Sequence, residues 1–168
     1  MINLKKVILT LLIILFNTSC VNNISSSSTL INSSSIIDYN SYNQYSIELN
    51  SMYDINDDYY CVYFYSNTCP ACYSLKEYLF SYFDNENKVI NLYMVNLFYT
   101  NDEDFNKLLI DNSLTDEEII NNSIGAKSIE ETYFKHTPSL YFINDSSLVD
   151  IYLNYSDVYN FFVNNEIK

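Results

Sequence analysis

The sequence predicts an α/β fold, a central mixed sheet flanked by helices, and three patterns predict it. A continuous aromatic and β-branched run, Tyr59 to Tyr65 (YYCVYFY), leads through a helical pattern from Pro70 to about Asp84 into a second such run, Val89 to Leu97. Two buried strands joined through a helix make a βαβ unit, and hence a parallel pair with a right-handed crossover. Later, Ser139 to Ile143 and Leu148 to Leu153 flank the turn-forming residues Asn144, Asp145, Ser146 and Ser147, which reads as an antiparallel hairpin. A parallel pair and a hairpin in one sheet make that sheet mixed. The 168 residues amount to about one domain, and 48% hydrophobic content supplies a core for it.

Composition excludes more than it proves. The chain has a single glycine, Gly125, so it contains neither a glycine-rich dinucleotide loop nor a phosphate-binding loop, and no cofactor is expected. Its one histidine, His136, rules out paired-histidine zinc motifs, and no metal is expected. With no arginine and a formal charge of −13, the chain lacks the basic surface that a nucleic-acid partner requires.

The N-terminus reads as an address. Lys5 and Lys6 precede the apolar run Val7 to Phe16, and Asn17, Thr18 and Ser19 lead to Cys20. The run is too short to span a bilayer, which takes about 20 residues, and suits the core of a secretory signal. It resembles a bacterial lipoprotein signal, cleaved before a cysteine that carries the lipid; Ser19 and Cys20 match, while Asn17 stands where leucine is usual. Residues 1–19 are thus expected to be a signal peptide and Cys20 a lipidated anchor to the membrane. Residues 20–43, rich in Ser and Asn, read as a flexible tether, which leaves 44–168 as the folded domain.

Within that domain, Tyr45 to about Asp54 reads as a first helix on Ile47, Leu49 and Met52. Tyr59 to Tyr65 and Val89 to Leu97 read as strands buried on both faces. Between them Leu75, Tyr78, Leu79, Tyr82 and Phe83 recur at helical spacing, with Pro70 in the first turn. An acidic helical middle follows: Asp104 to Asp111 carries Phe105, Leu108 and Leu109 on one face, and Thr115/Glu118 and Ser128/Glu131 form capping-box patterns. These acids read as first-turn and solvated residues rather than a cation site. After the hairpin, Ser156 is placed to cap a last helix, Asp157 to Glu166.

The chemistry sits at Cys69-Pro70-Ala71-Cys72. Cysteines at i and i+3 of a helix start lie close enough for a disulfide, and the helix's unsatisfied N–H groups favour a thiolate on the first. Cys69 then reads as an exposed nucleophile and Cys72 as the buried thiol that resolves a mixed disulfide. Half of a zinc site or a structural disulfide would use the same spacing. For zinc the remaining ligands are Cys61 and His136, without a second closely spaced pair.

The run YYCVYFYSNTCPACYSLKEYL, together with HTPSLYFIND some sixty residues on, resembles the thioredoxin superfamily, and in wording its membrane-attached members in low-GC bacteria. The resemblance implies a thioredoxin-like fold with an enlarged helical segment before the cis-proline loop. It also implies Cys69 as nucleophile, Cys72 as resolving thiol, Pro138 as the proline after a cis bond, and Thr137 as the residue whose backbone pairs with substrate. The chain departs from the family where reductases carry Trp, here Thr68, and a buried acid, here Tyr63.

Cys61 reads as an inert core thiol, about 20 Å from Cys69 at about 3.3 Å per strand residue. His136, two residues before Pro138, reads as a loop residue or as a group that tunes the thiolate. Two function classes follow. The first is an extracytoplasmic, membrane-tethered thiol–disulfide oxidoreductase acting on exported cysteine-containing proteins, served by an unidentified redox partner. The second is a binding module on the same scaffold, its cysteine pair a structural clasp or metal clip.

Overall fold

The computed structural model describes residues 38–165. The signal peptide, Cys20 and the tether up to residue 37 lie outside the described residues. Four strands form one open sheet in the order β2-β1-β3-β4, with β1 at Tyr59–Tyr65, β2 at Asn91–Asn96, β3 at Ser139–Asn144 and β4 at Ser147–Tyr152. β1 runs parallel to β2 and antiparallel to β3, and β3 pairs antiparallel with β4, so the sheet is mixed. The fold is α/β with flanking helices, compatible with a thioredoxin-like arrangement.

Strand alternation divides the core in two. Cys61, Tyr63 and Tyr65 face a cluster built with α1, Pro70–Asp84, and the C-terminal helix α4, Tyr155–Asn164. Tyr60, Val62 and Phe64 face a second cluster that takes in Leu49, Met52, Leu108, Ile119, Ile129 and Phe134. The sheet is therefore covered on both sides, which is why β1 is a continuous apolar run rather than an alternating one.

α1 spans the residues that its periodicity predicts. Cys69 is its N-cap and Pro70 opens its first turn. Thr115 caps α3, Asp116–Ser123, through the expected capping box: Thr115 Oγ1 accepts the Glu118 N–H at 3.2 Å, and the Glu118 carboxylate accepts the Thr115 N–H at 2.8 Å.

Several boundaries differ, each because a longer-range contact outcompetes the local pattern. The tether does not extend to residue 43, since Tyr39–Tyr45 forms 3-10 turns whose rings pack on α1. Tyr42 stacks on Phe80 at 4.4 Å and donates to the Asp84 carboxylate at 2.8 Å, and Tyr45 stacks on Phe83 at 4.1 Å. The first helix expected from Tyr45 shrinks to a 3-10 turn, Leu49–Ser51, because the Ile47 N–H bonds the Met94 carbonyl at the edge of β2. The Asp104 to Asp111 helix shrinks to α2, Asp102–Phe105, because Leu109 bridges Tyr133 through the Thr132 carbonyl and the Phe134 N–H.

Ser128 caps nothing with its side chain; the Glu131 carboxylate instead accepts the Lys127 N–H at 2.9 Å. The last helix starts earlier, capped by Asn154 rather than Ser156, with Asn154 Oδ1 accepting the Asp157 N–H at 2.8 Å. The hairpin turn tightens to Asp145 and Ser146, both at positive φ (47° and 56°), a twist that suits a two-residue connection.

The N-terminal aromatic segment belongs to the folded unit, so Tyr42→Ala should lower unfolding free energy by about 3 kcal/mol, as core aromatic truncations do. Urea denaturation measures this, and a loss under about 0.5 kcal/mol would show that the segment adds nothing to the fold.

Candidate active site

β1 ends at Tyr65, and three residues of turn, Ser66, Asn67 and Thr68, carry the chain to the N-terminus of α1. The Cys69 N–H donates to the Ser66 carbonyl at 3.1 Å, which sets the turn. Ser66 and Thr68 also bond each other through their hydroxyls at 3.0 Å. Cys69 is extended at the N-cap, and its sulfur accepts the Cys72 N–H at 3.1 Å. That bond does for a sulfur what a Ser or Asp oxygen does at other helix starts: it satisfies one of the first orphan donors.

Cys69 and Cys72 are bonded as a disulfide, with their Cα atoms 5.3 Å apart. The two sulfurs differ in access. Cys72 is 1% exposed within the α1/α4 cluster, while Cys69 is half-buried and borders an open groove. An incoming group therefore reaches Cys69 first. On reduction its sulfur would face the Cys72 N–H and the positive end of a 15-residue helix, and both favour the thiolate.

The opposite wall comes from the loop before β3. The Thr137–Pro138 peptide bond is cis, Pro138 is buried, and the Thr137 carbonyl oxygen stands 3.6 Å from Cys69 Sγ. While the disulfide is closed that sulfur carries no proton, so this is a contact; the reduced thiol could donate across it. The structure thus brings Cys69, Cys72 and Thr137 together. His136 lines the same groove and is exposed. Cys61 lies apart, an unpaired and fully buried thiol on β1 whose pKa burial raises well above the ordinary value. Among the described residues no group of three or more His, Cys, Asp or Glu could hold a metal ion.

The groove has a volume of about 680 Å³, and its floor is aromatic: Phe98, Phe105 and Phe134 meet Cys69 and Thr137 there. Phe98 is 55% exposed, unusual for so large an apolar side chain. Sequence reading missed these three residues. They lie in the segment between β2 and β3, and the Leu109–Tyr133 bridge that sets Phe134 in place joins residues too far apart for any local pattern to show.

A second residue missed is Tyr39. Its hydroxyl donates to the Cys72 carbonyl at 3.4 Å, its ring stacks on Tyr65 at 4.2 Å, and burial pushes its pKa up, so it remains a neutral donor over the first turn of α1.

In the reduced protein, Cys69 should ionise below the roughly 8.5 of a free cysteine and alkylate at least tenfold faster than Cys72 near pH 7. Iodoacetamide labelling with peptide mapping across pH reads both. A lowered pKa raises the thiolate fraction at neutral pH, so equal, slow labelling of the two thiols would contradict this account of the helix start.

No protein-family model matches the chain, and no curated protein matches it. What the geometry establishes is an α/β fold whose four-stranded mixed sheet delivers a cysteine pair to a helix N-terminus beside a groove.

Proposed function

We propose that the chain is a thiol–disulfide oxidoreductase acting outside the cytoplasm on exported, cysteine-containing proteins, and that it is held to the membrane by a lipid on Cys20. The observation that carries the catalytic reading is the asymmetry of the pair: Cys69 opens to the groove with a backbone N–H on its sulfur, while Cys72 is buried behind it. A structural clasp needs neither the open side nor the neighbouring groove.

The reaction follows from that asymmetry. In the reducing direction the Cys69 thiolate attacks one sulfur of a substrate disulfide; a Cys69–substrate disulfide forms, and the substrate's other sulfur leaves as a thiolate that takes up a proton. Cys72 then loses its proton and attacks Cys69 Sγ, the Cys69–Cys72 disulfide closes, and the second substrate thiol is released. Two electrons have passed to the substrate, and an external dithiol must return them to the pair. The same steps reversed oxidise a substrate dithiol. Which direction dominates depends on the partner's potential.

Substrate docking draws on the groove. An extended segment lying along the Thr137 backbone would place a residue beside its cysteine over Phe98 and Phe105. Within the thioredoxin-like reading, that makes Thr137 and Pro138 the substrate-binding residues.

The trapping experiment tests the catalytic reading. With Cys72 changed to Ser the second step cannot occur, so mixed disulfides between Cys69 and exported proteins should accumulate, and the Cys72→Ser/Cys69→Ser double variant should trap none. If Cys72→Ser traps no more than the double variant, the clasp reading replaces this one.

The anchor is tested separately. Mass spectrometry of the native protein should find a lipid-modified Cys20 at the mature N-terminus, and a retained Met1 or an unmodified start would contradict the tether.

A further inference from the structure

Tyr63 stands at the centre of β1 on the face that carries α1 and α4, and it is 0% exposed. Its hydroxyl has no hydrogen-bond partner among the described residues. The other buried tyrosines of the core are satisfied: Tyr60 donates to the Met52 carbonyl, Tyr82 to that of Ile90 and Tyr141 to that of Tyr133. A buried hydroxyl without a partner costs about 1–3 kcal/mol, and phenylalanine would fill the same space without that cost. The exception calls for a role.

Its surroundings narrow that role. The titratable groups facing Tyr63 are three other phenols: Tyr65 on its own strand, Tyr39 from the N-terminal 3-10 turns and Tyr155 from α4. No carboxylate and no ammonium is among them, so nothing there accepts strongly. From α1, the helix packed on this face, the polar atom contributed to the shared cluster is the sulfur of Cys72. The Tyr63 ring lies 5.9 Å from Tyr65, Tyr65 lies 4.2 Å from Tyr39, and the Tyr39 hydroxyl bonds the Cys72 carbonyl. One patch of phenols thus backs the buried cysteine.

The oxidation state changes what that sulfur can accept. In the disulfide, Cys72 Sγ is bonded to Cys69 Sγ and is a poor acceptor. When an external dithiol reduces the pair, the S–S bond breaks, two electrons and two protons arrive, the reductant closes its own disulfide, and Cys72 gains a full lone pair as thiol or thiolate. A thiolate buried in apolar surroundings needs a donor.

We propose that the Tyr63 hydroxyl is a redox-linked donor, unpartnered while the disulfide is closed and hydrogen-bonded to Cys72 Sγ once the pair is reduced. It is a positioning residue: it stabilises the dithiol form selectively and so makes the pair more oxidising than it would be with an apolar residue at this place. Burial supports the assignment by raising the phenol's pKa well above its ordinary value, which keeps it protonated as a donor. The inference rests on the exchange activity proposed above.

The test compares the full-length chain in detergent with its Tyr63→Phe variant, which loses one oxygen atom. Both are equilibrated in glutathione buffers, and the dithiol fraction of Cys69 and Cys72 is read by alkylation and mass mapping. Tyr63→Phe should shift the equilibrium toward the disulfide by about five- to tenfold, the scale of one hydrogen bond. It should also raise the melting temperature of the oxidised form but not of the reduced form. An unchanged equilibrium, with both forms shifted equally in melting temperature, means that Tyr63 is only packing, or is bonded alike in both states, and overturns the inference. A wild-type pair that never equilibrates with glutathione would fail the oxidoreductase reading instead, so the two failures are distinguishable. Circular dichroism checks that the variant is folded, and Tyr63→Leu, which also lacks the hydroxyl, must shift the equilibrium in the same direction.

Discussion

The first turn of α1 is the constraint on which the site depends. Its N–H groups have no carbonyls to bond within the helix, and a sulfur takes one of them. Everything else positions that turn. β1, buried on both faces, aims the chain at it; Pro70 pre-sets its backbone; and the aromatic segment at Tyr39–Tyr45 holds the helix from outside. The difference between the two cysteines follows, because a helix start presents its N-cap to solvent and its third residue to the core.

The core is built largely from tyrosine, and this has physical consequences. A chain with 18 Tyr, 10 Phe and no Trp can fill space with rings, but each buried phenol brings a hydroxyl that must be satisfied. In this fold the hydroxyls are used as fasteners. Tyr60 ties β1 to the Met52 carbonyl, Tyr82 ties α1 to the approach to β2, and Tyr53 meets Thr132 in the segment between β2 and β3 at 2.6 Å. Burial pushes Tyr53 and Tyr60 up to about 12, so these hydroxyls keep their protons and the fasteners hold across physiological pH. Loops with a single glycine among them are thereby tied down by side chains. Against that pattern, an unpartnered phenol on the cysteine side of the sheet stands out.

Local signals in the sequence were enough for part of this. The limits of α1 were legible because proline at a helix start and a 3.6-residue apolar period are both local, and β1 was legible because burial on both faces leaves an unbroken apolar run. Cys69, Cys72 and Thr137 could be named from four-residue spacing and a Thr-Pro pair. The aromatic floor of the groove could not: Phe98, Phe105 and Phe134 gain their places through a bridge between Leu109 and Tyr133 and through packing on the far face of the sheet. Tyr39 and Tyr42 were hidden for a different reason. They sit in a Ser- and Asn-rich stretch whose composition resembles a tether, and only α1, more than thirty residues on, gives their rings something to cover.

The account's central claim is that the Cys69–Cys72 pair is an exchanging centre and not a clasp. Its reduction potential tests this most directly, measured by bringing oxidised and reduced samples of the full-length chain to the same series of glutathione buffers. An exchanging pair reaches one endpoint from both directions at a potential between about −300 and −120 mV, the range of working dithiols. A pair that stays closed throughout the series, at a potential below about −300 mV, or that opens only as the domain unfolds, would contradict the claim.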